Sequence, residues 1–210
     1  GKLFGAQIVG YEGVDKRIDL IAACIKHNET IYDLEKIEHA YAPPFSSAKD
    51  PVNIAGFVAE NIIAGLVKIV DWHDIEKLDY SKTVLLDVRT SEEFQLGNIR
   101  PAINIPLDDL RTRINELPKD KKIVIYCAAG HRGYFAARIL MQSGFNEVYN
   151  LTGGYKTYEH ATQKQSNEDI FENDTIGKDD NLYQYDPDKP HSESKTYIVD
   201  ACGLQCPGPI

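Results

Sequence analysis

The stretch Lys122-Ile-Val-Ile-Tyr-Cys127-Ala-Ala-Gly-His-Arg132-Gly-Tyr-Phe-Ala-Ala-Arg-Ile-Leu140 decides how the rest of the chain is read. Ile123 to Tyr126 is an apolar run of the length of a buried strand, and an amphipathic helical pattern begins around His131. Only Ala128, Ala129 and Gly130 separate Cys127 from that helix, and all three are too small to shield a thiol. A cysteine placed between a strand end and a helix start faces unpaired backbone N–H groups. Those donors and the positive helix end favour an anion at the sulfur, and the same cradle suits a persulfide, a sulfate-like group or a phosphate. An inert, buried strand-end thiol is the plain alternative, since free cysteine is among the most buried residue types.

Working outward, strand and helix patterns alternate. Thr83–Arg89 is an apolar strand ending in charge, Ser91–Gly97 a turn of helix with Ser91 as cap, and Ile103–Ile105 a short strand before Pro106. Leu107–Leu117 reads as a helix, Glu147–Leu151 as a strand, and Gly153-Gly-Tyr-Lys-Thr-Tyr158 follows it as a turn. Upstream, a new unit starts near Val70, with a short helix over Asp71–Leu78 capped by Asp71. This alternation predicts an α/β fold with a parallel sheet covered by helices on both faces. In such sheets the site lies beyond the carboxyl ends of the strands, where Cys127 falls.

The opening residues read differently. Leu3–Tyr11 has a strand pattern, and a helix starts at Asp15 with Val14, Ile18, Ile21, Ala22 and Ile25 at helical spacing. Cys24 lies in that helix as core filler. A second short helix spans Ile31–Glu38, three prolines exclude regular structure from Tyr41–Pro51, and Pro51 opens a helix to about Leu66. From 161 to 195, nine acidic residues face four lysines with few large apolar side chains, the composition of a flexible acidic linker.

Composition narrows the function classes. The chain has 210 residues, enough for one or two domains with a sizeable core. Its formal net charge of −9 gives a nucleic-acid or anionic-membrane partner no electrostatic support. No apolar run approaches the roughly 20 residues that span a bilayer, and no secretory signal pattern is present. Cys24, Cys127, Cys202 and Cys206 form neither a disulfide framework nor a zinc signature, so no metal is expected and a reducing, cytoplasmic setting is.

Three resemblances follow from the motifs. Cys127-Ala-Ala-Gly-His-Arg132 resembles the active-site loop of the rhodanese sulfurtransferases, Cys-x-x-Gly-x-Arg. Four residues stand between Cys127 and Arg132, where related phosphatases have five, a smaller ring that suits a single terminal sulfur. Asp87-Val-Arg-Thr-Ser-Glu-Glu-Phe-x-x-Gly97, Asn104-Ile-Pro106 and Gly153-Gly-Tyr155 extend that likeness over residues 66–160. Where family members usually carry Gly-His-Ile-Pro-Gly-Ala, this chain has Gly97-Asn-Ile-Arg-Pro-Ala102. Residues 1–65 resemble the C-terminal part of the dimerisation domain of flavin-dependent disulfide reductases, in the coenzyme A disulfide reductase and NADH oxidase branch. That likeness rests on Gly5-Ala-Gln-Ile-Val-Gly10, Gly13-Val-Asp-Lys-Arg-Ile18 and Tyr41-Ala-Pro-Pro-Phe-Ser-Ser-Ala-Lys-Asp-Pro51. Residues 196–210, with Cys206-Pro-Gly-Pro209, resemble the start of a TusA/SirA-like sulfur carrier.

These resemblances imply a rhodanese-type sulfurtransferase within a larger reductase fusion. Cys127 is implied as the catalytic nucleophile, and Ala128, Ala129, Gly130, His131, Arg132 and Gly133 as the loop that binds the persulfide. Asp87, Arg89 and Glu93 are implied as supporting residues that organise charge at a surface edge, and Cys206 as a possible sulfur carrier. The donor is expected to be thiosulfate or a low-molecular-weight persulfide, and the acceptor a thiol such as coenzyme A or a carrier cysteine. No Gly-x-Gly-x-x-Gly occurs, so no cofactor is expected in this chain, and FAD and NAD(P)H are implied only for a preceding part of a homodimeric parent. The alternative is a non-catalytic fragment that dimerises an FAD-dependent pyridine nucleotide-disulfide oxidoreductase or docks its partners.

Overall fold

The computed structural model describes residues 1–10, 12–44 and 47–163. Helices α1 (Val14–Lys26), α2 (Ile31–Leu34) and α3 (Pro51–Ile63) precede a sheet of five strands. The strands are β1 (Lys68–Val70), β2 (Thr83–Asp87), β3 (Ile103–Asn104), β4 (Lys122–Tyr126) and β5 (Val148–Leu151). Their spatial order is β1-β5-β4-β2-β3, and each neighbouring pair is parallel. Parallel pairing needs crossovers, and helices α4 (Trp72–Ile75), α5 (Ser91–Leu96), α6 (Leu110–Arg113) and α7 (His131–Gln142) lie in them, with α8 (Gly154–Thr162) after the last strand. Asp87 pairs with Tyr126, Ile125 with Asn150 and Val70 with Leu151, which lines the carboxyl ends up along one edge.

Alternation along β4 splits its side chains between two cores. Ile123, Ile125 and Cys127 face one layer, with Leu86, Val88, Ala136, Ala137 and Leu140. Val124 and Tyr126 face the other, with Leu85, Leu151, Val70 and Ile75. Cys127 therefore extends the strand's alternation by one residue and turns its side chain under α7. Complete burial of side chains such as Leu86, Ile125 and Leu140 contributes about 1.5–3 kcal/mol each.

The first three helices hold a smaller core, in which Ile21, Cys24, Leu34 and Val52 are buried. Asp50 caps α3 by accepting from the Val52 N–H at 3.1 Å, and Arg17 pairs with it at 2.9 Å. The end of α3 reaches the sheet. Ile62 and Val67 join the core on the α7 side, the Tyr134 hydroxyl donates to Asn61 Oδ1 at 3.3 Å, and Arg138 donates to the Leu66 carbonyl at 2.9 Å.

Several elements differ from the sequence-based expectation. Residues 3–10 form no strand; their end is held by a single antiparallel bridge between Lys2 and Thr30. The run has no ladder partner: Leu3 and Ile8 pack against the core of the first three helices, while Phe4 and Val9 are 72% and 87% exposed. Strand β1 was invisible to periodicity because it is three residues long and begins with a lysine. Helix α2 stops at Leu34, where Asn53 Nδ2 donates to the carbonyls of Leu34 and Ile37, each at 2.9 Å. Helix α3 stops at Ile63 because left-handed Gly65 (φ 68°) closes it, with the Leu66 N–H on the Asn61 carbonyl at 2.8 Å. The helix expected over Leu107–Leu117 is α6 followed by a 3-10 turn, Ile114–Glu116.

The cap of α5 is Thr90 rather than Ser91. Thr90 Oγ1 accepts from the Glu93 N–H at 3.3 Å while Glu93 Oε2 accepts from the Thr90 N–H at 2.9 Å. Gly153 and Gly154 open a nine-residue helix, α8, rather than only a turn, so Ala161 and Thr162 are helical. The linker from Lys164 onward and the carrier-like residues 196–210, with Cys202 and Cys206, lie outside the described residues.

Candidate active site

Cys127 follows β4 directly and is 2% exposed. Ala128, Ala129 and Gly130 then turn the chain into α7, and Gly130 takes the left-handed conformation (φ 106°, ψ −28°) that caps the helix. This places the Gly130 N–H against the sulfur, donating to Cys127 Sγ at 3.1 Å. Of the N–H groups expected around the sulfur, Gly130 supplies this hydrogen bond.

The loop is fixed from beneath and from one side. Helix α8 donates into it through its backbone, from the Tyr155 N–H to the Cys127 carbonyl at 2.7 Å and from the Lys156 N–H to the Ala128 carbonyl at 3.0 Å. The approach is so close that a Cβ on Gly154 (φ 61°) would stand 2.5 Å from the Cys127 carbonyl oxygen. Only glycine meets both demands. From β5, Asn150 Nδ2 donates to the Gly130 carbonyl at 3.1 Å, holding the residue whose N–H faces the sulfur. Gly133 lies in the first turn of α7 against the Asn150 side chain and has no room for a side chain of its own.

Charge around the loop comes in two closed pairs. Arg132 donates bidentately to Glu93, Nη1 to Oε2 and Nη2 to Oε1, both at 2.7 Å. Each side chain is about one third exposed. The Arg132 guanidinium holds the Glu93 carboxyl well below its ordinary range, at about 2. Deeper, Arg89 pairs with Asp87 at 2.6 Å, and the same nitrogen donates to the Gly97 carbonyl at 2.6 Å. The Arg89 guanidinium lies 4.2 Å from the Tyr155 ring centroid. This pair is buried, not the surface-edge pair expected, because Tyr126, Tyr155 and the Gly97 turn close over it. An arginine buried this way anchors the turn after α5 and does not face a substrate.

His131 is exposed at the helix start, with its ring edge-on to Phe135 at 4.7 Å. Cys24 sits in the last turn of α1 within the small core, where burial and then the Glu29 carboxylate push its thiol up to about 11. The structure thus brings Cys127, Ala128, Ala129, Gly130, His131, Arg132, Gly133 and Glu93 into one loop and its clamp. Asp87 and Arg89 support it from below, and Cys24 stands apart. Among the described residues no cluster of three or more His, Cys, Asp or Glu side chains is placed to hold a metal ion. Sequence reasoning missed Asn150, and it placed Gly154 and Tyr155 in the closing Gly153-Gly-Tyr155 turn without their contact to the loop. Asn150 had a readable signal, as a side-chain amide inside the short strand Val148–Leu151.

Residues 72–161 match the rhodanese-like domain family. A sulfurtransferase of Allochromatium vinosum is 42% identical over 76 residues, covering 36% of this chain and 71% of that protein. Among solved structures, reduced Bacillus anthracis CoADR-RHD superposes with a TM-score of 0.67 at 52% identity, over 70% of this chain and 26% of that one. A NAD-dependent persulfide reductase from A. fulgidus gives a TM-score of 0.62 at 39% identity, over 71% of this chain and 26% of its own. The chain therefore spans about a quarter of the length of each of these two larger proteins.

Proposed function

The chain belongs to the rhodanese-like family, and from that premise we propose that it transfers sulfane sulfur through a persulfide on Cys127. The observation that carries this reading is the hydrogen bond from the Gly130 N–H to Cys127 Sγ, at the carboxyl edge of a parallel sheet. A donor of that kind, fixed by Asn150 and α8, stabilises negative charge on sulfur without reorganising. In the first step the Cys127 thiolate attacks the outer sulfur of the donor. The Sγ–S bond forms, the donor's S–S bond breaks, and its electron pair leaves on the inner sulfur. In the second step an acceptor thiolate attacks the outer sulfur of the persulfide, and Cys127 departs as thiolate. No net oxidation or reduction occurs at the protein.

The wider assembly belongs to the same proposal. The likeness of residues 1–65 to a reductase dimerisation segment, and the coverage of the two larger relatives, support a parent that is a homodimeric coenzyme A disulfide or persulfide reductase. FAD and NAD(P)H do not fit the residues of this chain, which has no glycine-rich dinucleotide turn, so no step here runs through them. The acceptor is a small thiol such as coenzyme A or the carrier-like Cys206. No helix among the described residues is long and apolar enough to cross a membrane. A reducing, cytoplasmic setting suits a chain whose mechanism needs a free thiol.

Intact-protein mass spectrometry after treatment with glutathione persulfide tests the reading. A gain of one sulfur atom, mapped to Cys127 and discharged by an added thiol, is expected. The adduct on that peptide should vanish in Cys127→Ser and persist in Cys24→Ser. Normal sulfur turnover by Cys127→Ser would defeat the assignment.

A further inference from the structure

The two ion pairs beneath and beside the loop bear on which donor it takes. Asp87 with Arg89 and Glu93 with Arg132 are two carboxylates against two guanidiniums, so their formal charges sum to zero. Arg132 is the loop's own cation, yet both of its terminal nitrogens already donate to Glu93 at 2.7 Å. Glu93 is held in turn by the capping box of α5, so the pair does not open without disturbing a helix start. Lys156, whose backbone N–H donates to the Ala128 carbonyl, has its side chain exposed to solvent, where its field is largely screened.

The two candidate donors make different demands. Thiosulfate brings a charge of −2 to a thiolate of −1, and the leaving sulfite again carries −2 as the S–S bond breaks. A low-molecular-weight persulfide, R–S–SH, brings no charge in its neutral form and leaves as R–S⁻ with −1. The first reaction is favoured by an uncommitted cation at the loop mouth, which offsets the repulsion between donor and thiolate. The second needs only the N–H donor on the sulfur.

Resting on the sulfurtransferase reading above, we propose that Glu93 is a specificity-determining residue. By occupying Arg132 it sets the loop to load from organic persulfides and to discriminate against thiosulfate. An uncompensated unit charge at this range changes a rate constant by about tenfold to a hundredfold, between the limits set by bulk water and by a protein surface.

The test is the second-order rate constant for loading Cys127 of the full chain, followed by intact mass, with glutathione persulfide and with thiosulfate. The wild-type chain is expected to load at least about tenfold faster from the persulfide. Glu93→Gln keeps an oxygen to accept from the Thr90 N–H and so preserves the cap, while it frees the charge of Arg132. It should raise the thiosulfate constant about tenfold and shift the ratio of the two constants toward thiosulfate by a similar factor. Salt gives a second readout. Loading from thiosulfate in the wild type should accelerate with ionic strength as like charges are screened, and this slope should fall in Glu93→Gln. A wild-type ratio near one, or an unchanged ratio in Glu93→Gln, overturns the inference and leaves sulfur transfer standing. Loading from neither donor overturns both.

Discussion

Residues 3–10 and residues 122–127 both present an apolar run ending in small residues, and the molecule treats them in opposite ways. Ile123–Tyr126 is flanked by β2 and β5, every one of its four side chains is buried, and Cys127 emerges at its end in a fixed position. Leu3–Gly10 has one bridge through Lys2 and leaves Phe4 and Val9 in solvent. An apolar pattern specifies a face, but a strand also needs a neighbour for its backbone. The two buried thiols follow the same division. Cys127 meets an N–H donor at a strand end, whereas Cys24 meets apolar side chains and the Glu29 carboxylate.

The sharpest way to break this contrast is by truncation in each region. Leu86→Ala, at a fully buried site on β2, should cost about 2–5 kcal/mol in urea unfolding, and Phe4→Ala should stay within about 0.5 kcal/mol. Comparable losses would mean that residues 3–10 pack far better than their exposure indicates.

A smaller effect is expected from glycine. Gly154→Ala forces a left-handed alanine against the Cys127 carbonyl, for at least about 1–2 kcal/mol of destabilisation, and should slow sulfur loading as the loop shifts. Gly5→Ala meets nothing within 4 Å and should be silent in both measurements. Equal stability and loading in Gly154→Ala would show that α8 does not brace the loop.

The smallest expected effect is electrostatic. Glu93 has its folded value lowered from 4.5 to about 2, so the pair with Arg132 adds stability that is present above about pH 4.5. That contribution is lost as pH falls through about 2, and for a pair one third exposed it is on the order of 1 kcal/mol or less. Unfolding curves of wild type and Glu93→Gln should differ at neutral pH and converge across that window. A difference that persists at the acid end would assign the effect to something other than the ion pair.

Much of the sheet was legible because Thr83–Asp87, Ile123–Tyr126 and Val148–Leu151 are apolar runs bounded by charge, proline or glycine. The Cys127 loop was legible for the same reason, since a strand ends and a helix begins within four residues. What escaped reading depends on contacts distant in sequence. β1 becomes a strand because β5 lies beside it, and α2 ends where Asn53 supplies the missing donor. The burial of Arg89 depends on Tyr155, 66 positions away, and the position of Gly130 on Asn150. None of these partners leaves a local mark beyond a lone polar residue in a strand or a paired glycine.

The position of β5 between β1 and β4 has a consequence for how the chain is made. Lys68 pairs with Tyr149, so the first strand of this sheet acquires its neighbour only when the sheet's last strand has left the ribosome. Until then β2, β3 and β4 can assemble, but β4 carries an open edge and β1 has nowhere to go. Such long-range parallel closure is slow and exposes apolar edges while it waits. A nascent chain halted between Tyr126 and Val148 is therefore the form of this molecule most in need of a chaperone.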